Sequence, residues 1–397
     1  MAFHGDSSVH AEDLAALPAI GTGLRRRGAA SDRAIRLVTE TLFFVVLPAL
    51  LLYSFLASKG VAFDFRAFWQ SGRDILEGQS PYVNATFGDF KNALDATSGY
   101  ENRFGFVYPA PTLLALAPLG WLPFGAAAAL FSAVLVASLA AALRILGVRD
   151  WRCYGATFLW FPTLFAVKLG TLTPLLVLGL ALVWRYRDDR RIVVLATAAT
   201  VVAKLFLWPL LVWLLATRRV ASAVWATIVG VAATAAAWAV IGFDSFLDYP
   251  RLVDRLAAAV QSEAYSPVSL GLALGLSPTA ARLCAVALGA GLLVAIVALG
   301  RRPGGDRAAL AAAVAAALVF TPIVWNHYFA LLLVPVAIAR PRLSPLWFLP
   351  ALVWTGPESD GAVWNIALTM AVAGLALVLA GRSSQAAGAG AATAEAT

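Results

Sequence analysis

The sequence predicts an all-α polytopic membrane protein, and three observations carry that expectation. Of its 397 residues 61% are hydrophobic and only 13% are charged, against about 45–50% and about 25% in a soluble domain. The mean hydropathy is +0.79. From Tyr108 to Ala380 the chain is almost continuously apolar and is interrupted by short arginine-rich joints. Too little polar surface remains to cover a soluble particle, which excludes a soluble enzyme, a nucleic-acid binder and a disordered chain. The net charge of +8 would suggest a nucleic-acid partner in a soluble protein. Here the positive-inside rule accounts for it by placing arginine at cytoplasmic helix ends.

Residues 1–35 form a basic tail with Arg25, Arg26, Arg27 and Arg33, followed by Arg36. The first apolar run, Leu37 to Ala57, has the roughly 20 residues needed to cross about 30 Å of hydrocarbon. It lies too far from the start and is too long for a cleaved signal peptide, so it reads as an uncleaved span with the tail in the cytoplasm. The longest polar stretch, 58–107, then lies outside. Basic joints follow at Arg144/Arg149/Arg152, Arg185/Arg187/Arg190/Arg191, Arg218/Arg219, Arg301/Arg302/Arg307 and Arg340/Arg342. The acid-containing segment Asp244 to Glu263 and the stretch Gly356 to Gly361 are assigned outside. The acids of the first segment, Asp244, Asp248, Asp254 and Glu263, read as solvated loop charges.

About 10 to 12 spans follow from length and parity, with two ambiguities. The run 192–216 is either one span or two half-spans meeting at Lys204, and 109–146 is either two spans or a re-entrant piece and one span. The resulting organisation is a tail over 1–35, a transmembrane domain over 36–382 and a low-complexity, disordered tail over 383–397. Cys153 and Cys284 both lie in apolar stretches and read as buried small hydrophobes rather than disulfide or metal ligands.

Within the external segment, Phe65, Phe68, Trp69, Gly72, Ile75 and Leu76 fall on one helical face. Arg66, Gln70, Arg73, Asp74 and Glu77 fall on the other. The pattern predicts an amphipathic helix at the membrane surface, ended by the turn Gly78 to Tyr82. Asp64 precedes it at the membrane boundary, where it can serve as an N-cap or as a base accessible to a lipid-linked substrate. Only four lysines occur, and Lys168 and Lys204 interrupt apolar runs. An ionisable residue inside a membrane marks function by default, the alternative being a side chain that snorkels to the interface. In a straight helix over 192–216, Lys204 lies about 18 Å from either end, beyond its reach; Lys168 is closer to a break at Gly170. His327 sits among Trp325, Asn326 and Tyr328, where it reads as an aromatic-belt residue. Tyr82 and Tyr108 read as belt residues in the same way.

In this order the motifs resemble the GT-C-fold polyprenol-phosphate-mannose-dependent α-1,2-mannosyltransferases, glycosyltransferase family 87. The resemblance covers roughly residues 37–340. It rests on Asp64 after the first span, Phe68/Trp69 with Gly72, Gly78 to Tyr82, Tyr108-Pro109-Ala110-Pro111, Lys204 with Pro209 and Arg218-Arg219, and Trp325-Asn326-His327-Tyr328. The chain departs from the family's Gly-Gln-x-Asn at Gly170-Thr171-Leu172-Thr173, and from its Asn-Gln-Ser at Ser266-Pro267-Val268-Ser269-Leu270.

The resemblance implies a GT-C-like helical bundle in the plasma membrane with its active site on the extracytoplasmic side. It implies transfer of a sugar, mannose above others, from a polyprenyl-phosphate donor to a glycolipid or glycan acceptor of the cell envelope. Such a donor already carries a leaving group, so one base suffices, where a glycosidase needs two carboxylates. Asp64 is the candidate base. Lys204, His327 and Arg66 are the candidates for the donor phosphate, and Tyr82 and Tyr108 for substrate. Membrane lipids are the other expected partners; no cofactor, metal or nucleic acid is implied. The rival classes are a transporter or flippase, which inverted repeats would favour, and a glycan polymerase, which would carry its large loop late in the chain.

Overall fold

The computed structural model describes residues 32–82, 108–321, 323–356 and 358–382. Most of the basic tail, the part of the external segment beyond Tyr82 and the C-terminal tail lie outside the described residues.

All regular structure among the described residues is helical. Helix α1 spans Asp32–Leu56 and contains a π-helical turn, Leu42–Val46. It is followed by α2 (Phe63–Leu76), α3 (Ala110–Leu116), α4 (Phe124–Ile145), α5 (Trp151–Thr157), α6 (Phe161–Leu169), α7 (Thr173–Arg185) and α8 (Arg190–Ala203). Then come α9 (Pro209–Ala216), α10 (Val220–Ile241), α11 (Asp248–Val260), α12 (Pro267–Ala273) and α13 (Pro278–Gly300). The chain closes with α14 (Asp306–Phe320), α15 (Leu333–Ala339) and α16 (Val363–Arg382). Side chains before the first turns cap several of these: Asp150 accepts from Arg152 N, Asp189 from Arg191 N and Ile192 N, and Ser277 from Ala280 N.

Among the described residues five helices (α1, α4, α10, α13 and α16) are long and apolar enough to cross a bilayer. They leave large apolar side chains exposed, such as Tyr53, Val231, Leu283 and Val294. In water such surfaces would be costly; against lipid they are matched. Counting the bent pair α6–α7 as one span gives six, fewer than the 10 to 12 predicted, because several apolar runs are broken into short helices. Residues 109–146 give a short piece, α3 with its 3-10 turn Ala117–Trp121, and then one long helix. Residues 192–216 break at Lys204, which adopts an extended conformation at φ −156° and ψ 105°.

The charged joints show how these broken runs lie. Arg219, just past α9, pairs with Asp188, just before α8, at 2.6 Å and with Asp306 at the start of α14 at 2.8 Å. The start of α8 and the end of α9 are therefore at the same end of the molecule, and α8–α9 is a hairpin with Lys204 at its tip. Helices α6 and α7 are bent by 117° about a tip at Gly170, and Arg187, beyond α7, pairs with Asp306 at 3.5 Å. Arg152 joins Asp150 to Glu40 of α1, each at 3.0 Å, and Asp150 also accepts from Leu343 N at 3.1 Å. Basic joints that are scattered in sequence thus gather at one end. The 14 residues of α8 carry the chain about 21 Å from that end to Lys204.

Helix α2 forms as its periodicity predicts. Its apolar face is not at a lipid surface, however, because it packs inward: Phe65 is stacked on Phe131 with ring centroids 4.8 Å apart, and Phe68 meets Tyr108 at 4.7 Å. Helix α2 sits so close to the turn after α3 that a Cβ on Gly120 would lie 2.8 Å from the backbone nitrogen of Arg73. Cys153 is buried as expected. Cys284 is exposed, on α13, whose outward face is apolar and needs no protein neighbour.

Candidate active site

Two hairpin tips and two chain crossings meet around Asp64. Ala62 takes a left-handed conformation, φ 56° and ψ 32°, and its N–H donates to the carbonyl of Lys168 at 2.7 Å. This ties the start of α2 to the α6–α7 tip. Ala62 occupies the N-cap position and Asp64 lies inside the first turn, with no side-chain capping bond at this helix start. The N-cap reading of Asp64 is therefore wrong. Capping requires the residue before the helix, and the chain turns into α2 two residues earlier than the polar pattern indicates. The carboxylate is left without that structural task. Burial pushes its pKa above the ordinary carboxylate value, and the charge of Lys204 acts in the opposite direction.

Gly170 at the α6–α7 tip has φ +70°, and a Cβ there would lie 2.6 Å from the Cβ of Phe65, the neighbour of Asp64. Gly170→Ala therefore combines left-handed strain with a steric clash, at a cost of about 1–3 kcal/mol from the backbone alone. The expected result is a lowered melting temperature and reduced transfer, measured on the purified protein. Wild-type values for both would show that the tip can yield without moving Asp64.

Lys204 lies in an aromatic cage. Its Nζ donates to the Tyr108 hydroxyl at 3.2 Å and lies 4.0 Å from the ring centroid of Tyr328 and 4.6 Å from that of Tyr108. Ring faces attract a cation and hold it without neutralising it. Among the described residues no ion pair joins Lys204 to Asp64, although each acts on the other electrostatically. The cage has its own supports. Thr112 Oγ1 donates to the carbonyl of Ala203 at 3.0 Å, fastening α3 to the α8–α9 tip. The Tyr82 hydroxyl donates to the carbonyl of Tyr108 at 2.7 Å, and the Tyr82 ring stacks on Trp238.

His327 is 2% exposed, which removes the aromatic-belt reading. It follows α14 into the interior, with its ring against Tyr328 at 4.7 Å and near Phe165 at 6.2 Å. Neither ring nitrogen has a hydrogen-bond partner within the protein. A buried polar group without a partner calls for a ligand or water.

The structure thus brings together Asp64, Tyr82, Tyr108, Lys204 and His327. Arg66 stands apart from them. Two residues along a helix are about 200° apart, and its guanidinium lies 4.4 Å over the ring of Phe124. Lys168 lies near the α6–α7 tip, 5.9 Å from the ring of Phe55. Three further residues at the site are not singled out by the sequence: Tyr328, Thr112, and Phe206, whose ring stacks on Tyr328 at 5.1 Å and lies 5.9 Å from Lys204 Nζ. For Tyr328 the signal was present, since it belongs to the His327 motif and a lysine in an apolar run needs compensating groups.

An acid and a caged cation meet at the inner tips of broken helices in an all-α polytopic membrane protein. Residues 106–335 match the model of glycosyltransferase family 87, more than half of the chain, and the protein belongs to that family. The match includes Tyr108, Lys204 and His327, while Asp64 and Tyr82 precede it. No curated protein and no solved structure matches the chain.

Proposed function

We propose that this glycosyltransferase moves a sugar, mannose by its resemblance to the mannosyltransferases, from a polyprenyl phosphate to a glycolipid or glycan outside the cytoplasm. The observation that carries this reading is a carboxylate free of capping duty that faces a caged lysine at a hairpin tip. The reaction is a single displacement. Asp64 takes the proton of the acceptor hydroxyl as its oxygen bonds to the anomeric carbon from the side opposite the phosphate. The bond from that carbon to the phosphate oxygen breaks, and the phosphate leaves with the electron pair. Lys204 and a neutral His327 N–H would meet its developing charge. The anomeric configuration inverts.

The Thr171 and Thr173 hydroxyls, where the family carries amide side chains, bond to each other at 3.3 Å. A donor contact from this tip is therefore weaker here, which leaves sugars other than mannose open to the site. Transfer from a defined polyprenyl-phosphate mannose by the purified protein, with NMR of the product linkage, tests the reading. No transfer from this or other polyprenyl-phosphate sugars, or retention of configuration, would overturn it.

The GT-C-like architecture and the sidedness belong to the same proposal. The basic joints lie at the end opposite Asp64, and by the positive-inside rule that end is cytoplasmic. Arg382 closes α16 at the same end, since neighbouring Gly381 sits against Ala308 at the start of α14. Asn92→Cys in intact cells is expected to react with an impermeant thiol reagent. Labelling only after lysis would invert the topology.

A further inference from the structure

At the arginine-rich end, far from Lys204, lies a cavity of about 480 Å³ lined by Leu146, Trp184, Arg187, Asp306, Arg307 and Ile338 among others. Its charges do not balance. Asp306 is shared between Arg187 and Arg219, and Asp188 pairs with Arg219 at 2.6 Å and lies 3.9 Å from Arg187. Arg187 also stacks on the Trp184 ring at 4.3 Å and donates to the Trp184 carbonyl. Two carboxylates therefore serve Arg187 and Arg219 and leave none for Arg307. The Nε and Nη2 of Arg307 are buried with no hydrogen-bond partner, and the charge of Arg340 faces it. Guanidinium N–H groups in this state call for an acceptor with two oxygens and negative charge.

We propose that this cavity binds a phosphate group, held in a fork by Arg307 with Arg187 beside it, at a site separate from the transfer site. Phosphate fits better than a carboxylate side chain because two arginines approach the cavity from separate parts of the chain, Arg307 from the start of α14 and Arg187 from the turn after α7, and a phosphate has oxygens for both. The group belongs either to an anionic lipid headgroup of that leaflet or to a free phosphate.

The test uses the full-length protein in detergent and follows thermal unfolding against inorganic phosphate and, separately, against a short-chain phosphatidylglycerol, with phosphatidylcholine, whose phosphate is balanced by its own ammonium, as the control without net charge. The expected result is a rise in melting temperature with one or both anionic probes. Half-saturation should move to about tenfold higher concentration in Arg307→Gln, the loss of a charged hydrogen bond. A response to phosphatidylglycerol alone assigns the group to a lipid; a response to inorganic phosphate as well shows that the phosphate suffices. Lys204→Met should keep the response, which separates this cavity from the transfer site. If Arg307→Gln does not fold, Arg307→Lys takes its place and should also bind more weakly, because it loses the fork. No rise with either probe, an unchanged response in the Arg307 variants, or loss of the response in Lys204→Met would each overturn the proposal.

Discussion

Asp64→Asn is expected to lower turnover by on the order of 10²-fold or more while leaving expression and melting temperature at wild-type values. Asn matches Asp in size and removes only the charge and the basic oxygen. Asp64 makes no capping bond in its helix, so a loss of activity cannot be assigned to a loosened helix start. The pH dependence carries a second signature. The base acts only when ionised, and burial holds its pKa above that of a free aspartate. Activity should therefore fall with acidification sooner than an exposed carboxylate would allow. Turnover by the Asn variant at the wild-type rate would remove Asp64 from the mechanism.

Lys204→Met is expected to reduce transfer by about 10- to 100-fold, the worth of a charged contact to the leaving phosphate. The fold should hold or gain stability, since an unneutralised charge leaves the interior. Saturation with donor should become harder while acceptor dependence stays near normal. The residual activity should also show its acid limb at higher pH, because Lys204 is the group that lowers the Asp64 pKa. That shift separates an electrostatic partner from a packing residue. Wild-type donor use by the Met variant would return Lys204 to a structural role.

The contrast between Asp64 and Arg66 shows what was legible in the sequence. The period of α2 is readable because it is local: Phe65, Phe68 and Gly72 recur at helical spacing and are buried together. Lys204 was readable because a charge in an apolar run is costly and needs a cause. What covers the inner face of α2 was not readable, since Phe131 and Tyr108 come from distant parts of the chain. For the same reason the sequence, in which Arg66 is adjacent to the site, groups it with Lys204, although it lies over Phe124. Hydropathy leaves the break at Lys204 open, because it registers an apolar run equally well whether the chain crosses or turns back. The ion pair of Arg219 with Asp188 decides it.

The hairpin α8–α9 also acts as a ruler. Its feet are fixed by the ion pairs of Arg219, and its longer arm of 14 residues sets how high the lysine stands, at about 1.5 Å per residue. A bilayer presents a lipid-borne phosphate at a depth fixed by its own thickness. One helical turn more or less in the arm would lift or lower the cation by about 5 Å, out of register with that plane. With the lipid-phosphate donor proposed above, the length of the arm, as much as the identity of the residue at its tip, would match this enzyme to the thickness of the membrane it serves.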